Sequence, residues 1–184
     1  MKVKGTAIVD LIRIMRSEKN RDFSSYLKPE DLEIVNGYIA AARWYPGDSF
    51  WRISHAVAKE VGKLQKDNMI YFGRLSAKSY LKVYKRLVVP GDPAASLEGC
   101  VAVWSSFYDF EGAAFKKNDI EKGDDWLKFK VYDYPNMIIP EMRVPYFLGL
   151  AGYYLEIAEQ SLGRKIKYTI TDNGDNFEMT YNWG

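Results

Sequence analysis

Acid/base or nucleophilic work by an imidazole has one carrier here, His55, because the chain holds a single histidine. It falls between Ser54 and Ala56, beside the apolar stripe Phe50, Ile53, Val57 and off it, the position of a half-exposed helix residue. Its functional use would be as an axial haem ligand, since one neutral imidazole holds haem iron. Cys100 is the only cysteine. A reactive thiolate needs a nearby base or a helix N-terminus, whereas Leu97, Val101 and Trp104 around Cys100 read as a mid-helix apolar setting for a small buried hydrophobe. Asp124 with Asp125, and Glu156 with Glu159, are spaced as neighbours and not as an enclosed acid/base dyad. The acidic stretch Asp172 to Glu178 fails the calcium-loop pattern, with Gly174 where a ligand is wanted, and reads as a solvated turn. Gly149-Leu150-Ala151-Gly152 lies inside a helical pattern, so it is no phosphate loop. Lys78, Lys82, Lys85 and Arg86, with Tyr80 and Tyr84 interleaved, make a basic side that would suit nucleic acid but reads first as a solvated helix face. No catalytic set and no metal site is therefore expected.

Composition narrows the partners. A net charge of +2 supplies no field that would draw nucleic acid or an anionic membrane. With one cysteine, neither an internal disulfide nor a multi-cysteine zinc site can form, which suits a reducing compartment. The opening apolar stretch is broken by Asp10 and Arg13, and no run approaches the roughly 20 apolar residues of a spanning helix, so a cytoplasmic chain without membrane insertion is expected. The aromatic share of 15%, with 14 tyrosines and 5 tryptophans, is high, and these rings must fill a core, line a pocket or anchor an interface.

The elements that would position these residues begin as helix after helix. Ile8, Leu11, Ile12 and Met15 form one stripe, and Leu32, Val35, Ile39 and Ala42 form another behind Pro29, stopping near Trp44 because the residue before Pro46 leaves the α region. A third helix runs from about Asp48, capped by Asp48 or Ser49, to Leu64, weakened by Gly62. A fourth runs from Asp67 or Asn68 to Val88, and a fifth from Ala94 to Tyr108. Strands are expected at Phe115 to Lys117 and Trp126 to Tyr134, with Asn118 to Asp125 as their connection. Val144 to Leu162 is a broadly apolar helix with a close backbone approach at Gly149 and Gly152 and a left-handed cap at Gly163. A hairpin closes the chain, Ile166, Tyr168 and Ile170 against Phe177, Met179 and Tyr181. The fold class is α+β: a helical N-terminal two-thirds followed by β-β-α-β-β with a four-stranded antiparallel sheet. We expect a single domain over 1–184, helical in 1–110 and sheet-containing in 111–184.

Trp44-Tyr45-Pro46, Gly73-Arg74, Gly149 with Gly152, Gly163 and a final hairpin ending in Trp183 together resemble an uncharacterised paralogous family of about this length from Myxococcus and other deltaproteobacteria. More distantly the chain resembles the ligand-binding domains of nitric-oxide signalling and Golgi transport, which include haem nitric-oxide-binding domains, vinyl-reductase-type sensors and TRAPP subunits. That resemblance implies helices followed by a four-stranded sheet and an apolar pocket between them. The chain lacks the histidine after the segment equivalent to Gly73-Arg74 and the Tyr-x-Ser-x-Arg signature of the haem members, and its hairpin has no cysteine, so neither haem nor metal carries over. The expected function is a non-enzymatic regulatory or scaffolding domain acting through a protein partner or homodimer, with room for a small apolar ligand. The alternative is a haem-linked gas or redox sensor using His55, and the third reading an enzyme of unknown chemistry. Trp44, Tyr45 and Arg74 are the candidate ligand-binding residues. Each also has a structural reading, the aromatics filling the corner at Pro46 and the guanidinium pairing with a carboxylate or with carbonyls at a helix end.

Overall fold

The structure, a computed structural model, describes residues 1–112, 119–134 and 137–184. The helices are α1 (Gly5–Ser17), α2 (Pro29–Asn36), α3 (Gly47–Glu60), α4 (Lys66–Val83), α5 (Pro93–Ser105) and α6 (Arg143–Leu162). The strands are β1 (Lys2–Lys4), β2 (Trp44–Pro46), β3 (Tyr108–Asp109), β4 (Asp119–Lys122), β5 (Trp126–Tyr132), β6 (Lys167–Asp172) and β7 (Asn176–Asn182). The α+β class and the four-stranded antiparallel sheet, in the order β4-β5-β7-β6, are as the sequence implied.

Period-two patterning sets that sheet's register. Leu127, Phe129 and Val131 on β5 stand opposite Tyr181, Met179 and Phe177 on β7, all six are buried, and Lys128 and Lys130 alternate onto the other face. α6 covers the buried face: Phe147 stacks on Phe177 with centroids 4.4 Å apart, Phe129 meets Tyr154 at 4.8 Å, and the Tyr181 hydroxyl donates to the Ala151 carbonyl at 3.0 Å. Such a helix, buried on nearly every side, is apolar over most of its surface, with Glu156 and Glu159 as buried exceptions. It ends where Gly163 takes φ +64°, the left-handed cap the sequence signalled. A continuous core joins these layers to Ile8, Ile12, Trp51, Ile53 and Leu97 on the N-terminal helices.

Several boundaries differ from the sequence reading. α2 stops at Asn36 rather than near Trp44, because Gly37 caps it in an extended conformation, so Ile39 and Ala42 lie beyond the helix. α3 starts one residue before Asp48, with Pro46 at its N-cap and no side-chain cap. α4 ends at Val83 and passes into a 3-10 turn over Lys85–Leu87. α5 ends at Ser105, so Tyr108 sits in β3. The polar stretch read as a connection contains β4, an exposed edge strand on β5, while the strand placed at Phe115 to Lys117 lies outside the described residues. A second, three-stranded sheet in the order β2-β1-β3 was not foreseen.

Candidate functional site

α4 and α6 cross with their backbones nearly touching. A Cβ on Gly73 would overlap the Gly149 carbonyl, and one on Gly152 would overlap the carbonyl of Ile70, so this crossing admits only glycine at positions 73 and 152. Two adjoining cavities lie beside this crossing, and Gly73 and Gly149 line the smaller of them.

The inner cavity, of about 120 Å³, lies between α1, α3, α4 and α6 and is lined by Leu11, Ile14, Phe50, Val57, Phe72 and Tyr146 among others. The outer one, of about 520 Å³, opens between α1 and α4, with Tyr80, Tyr84, Trp104, Phe107 and Tyr153 as its aromatic wall and Asp10, Arg13 and Lys82 as its charged part. Ala7, Ser76, Trp104 and Tyr153 line both. Asp10 and Arg13 are paired at 2.7 Å, and burial, opposed by Arg13, raises the Asp10 carboxyl above its ordinary value.

The aromatic side chains form one connected cluster. Trp104 lies 5.3 Å from Tyr108 and 5.2 Å from Tyr153, Tyr80 meets Tyr153 at 5.6 Å and stacks on Tyr84 at 4.4 Å, and the hydroxyls of Tyr108 and Tyr146 are 3.2 Å apart. Burial pushes the Tyr80, Tyr108, Tyr146 and Tyr153 phenols well up, so these rings are neutral and their hydroxyls serve as hydrogen-bonding groups, not bases. The Tyr80 and Tyr153 hydroxyls and the Trp104 indole N–H are buried without a hydrogen-bond partner among the described residues. Tyr153 lies beside the Tyr80 hydroxyl, and Trp104 beside Tyr134. This placement also corrects the reading of Tyr80 and Tyr84 as rings interleaved on a basic surface: Tyr80 is buried, and Tyr84 stacks one face on it.

The residues singled out from the sequence lie elsewhere. Arg74, on α4, reaches Glu159 at 2.5 Å and Glu156 at 2.8 Å on α6, the carboxylate pairing foreseen for it, while Lys165 adds a 2.8 Å contact to Glu159. Burial works against ionisation of Glu159, but bonds from Arg74 and Lys165 outweigh it and hold the carboxyl below its ordinary range. The two glutamates are neighbours as read, and both are buried, each bound to Arg74. Trp44 and Tyr45 sit on β2, in a separate open cleft with Arg52. Trp44 lies under the Lys4 ammonium at 5.2 Å, and the Tyr45 hydroxyl accepts from the Ala40 N–H at 3.1 Å. None of the three lines the inner or outer cavity.

Potential iron ligands are poorly placed. His55 faces Tyr26, edge-on at 5.4 Å, and lines neither cavity; burial first, then Lys59, lowers its imidazole pKa against the pull of Glu141. Cys100 is fully buried, and burial pushes its thiol up to about 12, away from the thiolate a metal requires. Among the described residues no group of three or more His, Cys, Asp and Glu could hold a metal ion, and no helix is long and apolar enough to cross a membrane.

No protein-family model and no curated protein matches the chain. Solved structures do. An oxygen-binding H-NOX domain related to soluble guanylate cyclases superposes with a TM-score of 0.64 at 16% identity, covering 98% of this chain and 94% of that one. A protein from work on haem distortion in the H-NOX family gives 0.69 at 15%, with 98% and 94% covered, and an Fe(II) unliganded H-NOX mutant from K. algicida 0.64 at 13%, with 98% and 96%. Haem is named for the second of these neighbours and Fe(II) for the third, and the donors described above do not fit haem: no imidazole lines either cavity, and the phenols and the thiol are held in their neutral forms. This chain is built on the H-NOX-like fold.

Proposed function

We propose that this chain is a non-enzymatic sensor domain that takes a small apolar ligand in the cavity between α1, α3, α4 and α6 and signals its occupancy through protein contacts. The observation that carries this reading is the inner cavity of about 120 Å³ with its apolar and aromatic lining. Its volume is of the order of the sealed apolar cavities of about 150 Å³ that bind benzene or xenon, but this one opens to the surface, which gives a ligand a way in. The likeness to haem-holding sensor domains supports ligand sensing over plain scaffolding, and in this respect favours the alternative foreseen from the sequence. Haem itself is the second reading, supported by that likeness and opposed by the placement of His55 and Cys100.

Native and denaturing mass spectrometry of protein purified from its own host, with an absorbance spectrum of the same sample, tests both. A mass excess lost on denaturation is expected, without a Soret band, and the bulky Ser76→Phe should reduce it, since Ser76 lines both cavities. A Soret band abolished in His55→Ala would replace this reading with the haem one. An unmodified mass and a colourless sample would remove support from both and leave scaffolding.

A further inference from the structure

We infer that the outer cavity binds an aromatic monocarboxylate, its rings against the aromatic wall and its carboxylate at Lys82 and Ser79 of α4. This deepens the sensor reading and rests on it, because the two cavities share Ala7, Ser76, Trp104 and Tyr153 and are taken as one site. The volume, about 520 Å³, lies within the roughly 300–1,000 Å³ typical of small-molecule sites. Tyr84, half-buried in the wall, stacks by one face on Tyr80 and meets no other ring among the described residues. Its second face is therefore without a ring partner, and a flat aromatic body supplies one by offset or edge-on packing.

The head group follows from the charges. Asp10, Arg13 and Lys82 are the charged residues of the lining. Asp10 and Arg13 are paired at 2.7 Å, whereas Lys82 is exposed and has no ion pair among the described residues, so the lining carries one unmatched positive charge. Ser79 lies three residues earlier, on the same face of α4. It too lines the cavity, and its side chain makes no hydrogen bond among the described residues. An ammonium and a hydroxyl so placed can both donate to one carboxylate. A cationic head would meet Lys82 instead, and a second carboxylate would find no free cation and would be repelled by Asp10. Lys82 keeps its hydration while the cavity is empty, so the charge contributes on the scale of one exposed ion pair and the rings supply the rest of the affinity.

Isothermal titration of the purified full chain with 2-naphthoate, with methyl 2-naphthoate, which lacks the charge, and with decanoate, which lacks the rings, tests this. The naphthoate should bind the wild type more tightly than either of the others. In Lys82→Met it should weaken about threefold, the effect of one exposed ion pair, while the ester does not weaken. Lys85→Met removes an exposed lysine that lines neither cavity and should leave both affinities as they are. Should Lys82→Met fail to fold by circular dichroism, Lys82→Gln is titrated for the same shift. An ester or a decanoate that binds as tightly as the naphthoate, or a naphthoate affinity that Lys82→Met leaves unchanged or lowers no more than that of the ester, overturns the inference while leaving ligand binding intact. Binding of none of the probes by a protein that carries a native mass excess also overturns it and spares the sensor reading. Binding of none by a protein without such an excess removes both.

Discussion

Gly73 of α4 lies directly on the carbonyl of Gly149 in α6, while the reverse approach is open: a Cβ on Gly149 would meet its nearest neighbour, the Met69 carbonyl oxygen, at an ordinary 3.7 Å. The crossing is therefore asymmetric in its need for glycine. Gly73→Ala has to push two helix backbones apart, an overpacking that costs about 1–3 kcal/mol and lowers the melting temperature by several degrees. Gly149→Ala has room for its methyl and gains roughly 1 kcal/mol of helix propensity, so it should leave stability unchanged or slightly raised. Thermal melts of the two variants side by side check this, and equal destabilisation would refute the asymmetry.

Beyond the crossing, Arg74 ties α4 to Glu156 and Glu159. Both carboxylates are buried, and Lys165 reaches only Glu159 closely. Arg74→Met strands Glu156 with Lys78 at 3.9 Å as its remaining cation, and loss of one partner from a buried pair costs about 3 kcal/mol or more. The double variant Arg74→Met/Glu156→Gln should recover part of that loss, because the stranded charge is gone. Urea unfolding of the wild type, both single variants and the double variant reads the coupling. Strict additivity would show that the pair does not act as a unit.

How much of this was legible in the sequence follows from the length of each pattern. The final hairpin, the buried face of β5 and the Gly163 cap were readable because alternation or a single φ-demanding residue specified them. Strands β1, β2 and β3, two or three residues each, are too short to show a period, and β4 was hidden because an exposed edge strand can be polar throughout. The end of α2 was misplaced because Ile39 and Ala42 preserve helical spacing past Gly37, where the backbone leaves the helix. The cavities could not be foreseen: Leu11, Val57, Trp104 and Leu150 line them from stripes that read equally as packed core. Tyr80 was assigned to the basic side of α4, though its ring turns inward to Tyr153. Of the expected ligand-binding residues, Arg74 proves to be a helix-helix tie and Trp44 and Tyr45 belong to a different cleft.

His55 gives a pH signature near neutrality. Its imidazole is lowered from the ordinary 6.5, first by burial, so as pH falls below that value the unfolded chain takes up a proton that the folded chain resists. Stability is then fully present above about 6.5 and declines as pH falls towards the lower folded value. His55→Asn should remove this decline. Urea midpoints at pH 7.0 and 5.5 should differ more in the wild type than in the variant, and since the chain has no other histidine, an unchanged difference would refute the placement of His55.

Cys100 offers a reading of core integrity. It is fully buried in α5, and burial lifts its thiol to about 12. At pH 8 the thiolate that an alkylating agent attacks is then only about one part in ten thousand, and the reagent must also cross a packed interior. Iodoacetamide should leave Cys100 unmodified in native buffer and label it at a rate that rises across the urea transition, in step with the unfolded fraction. Gly73→Ala, by loosening the α4–α6 crossing, should raise the native labelling rate about tenfold for each 1.4 kcal/mol of stability lost, whereas Gly149→Ala should not. Rapid labelling of the wild type without denaturant would place Cys100 outside the core and would also remove the apolar surroundings on which its neutral state depends.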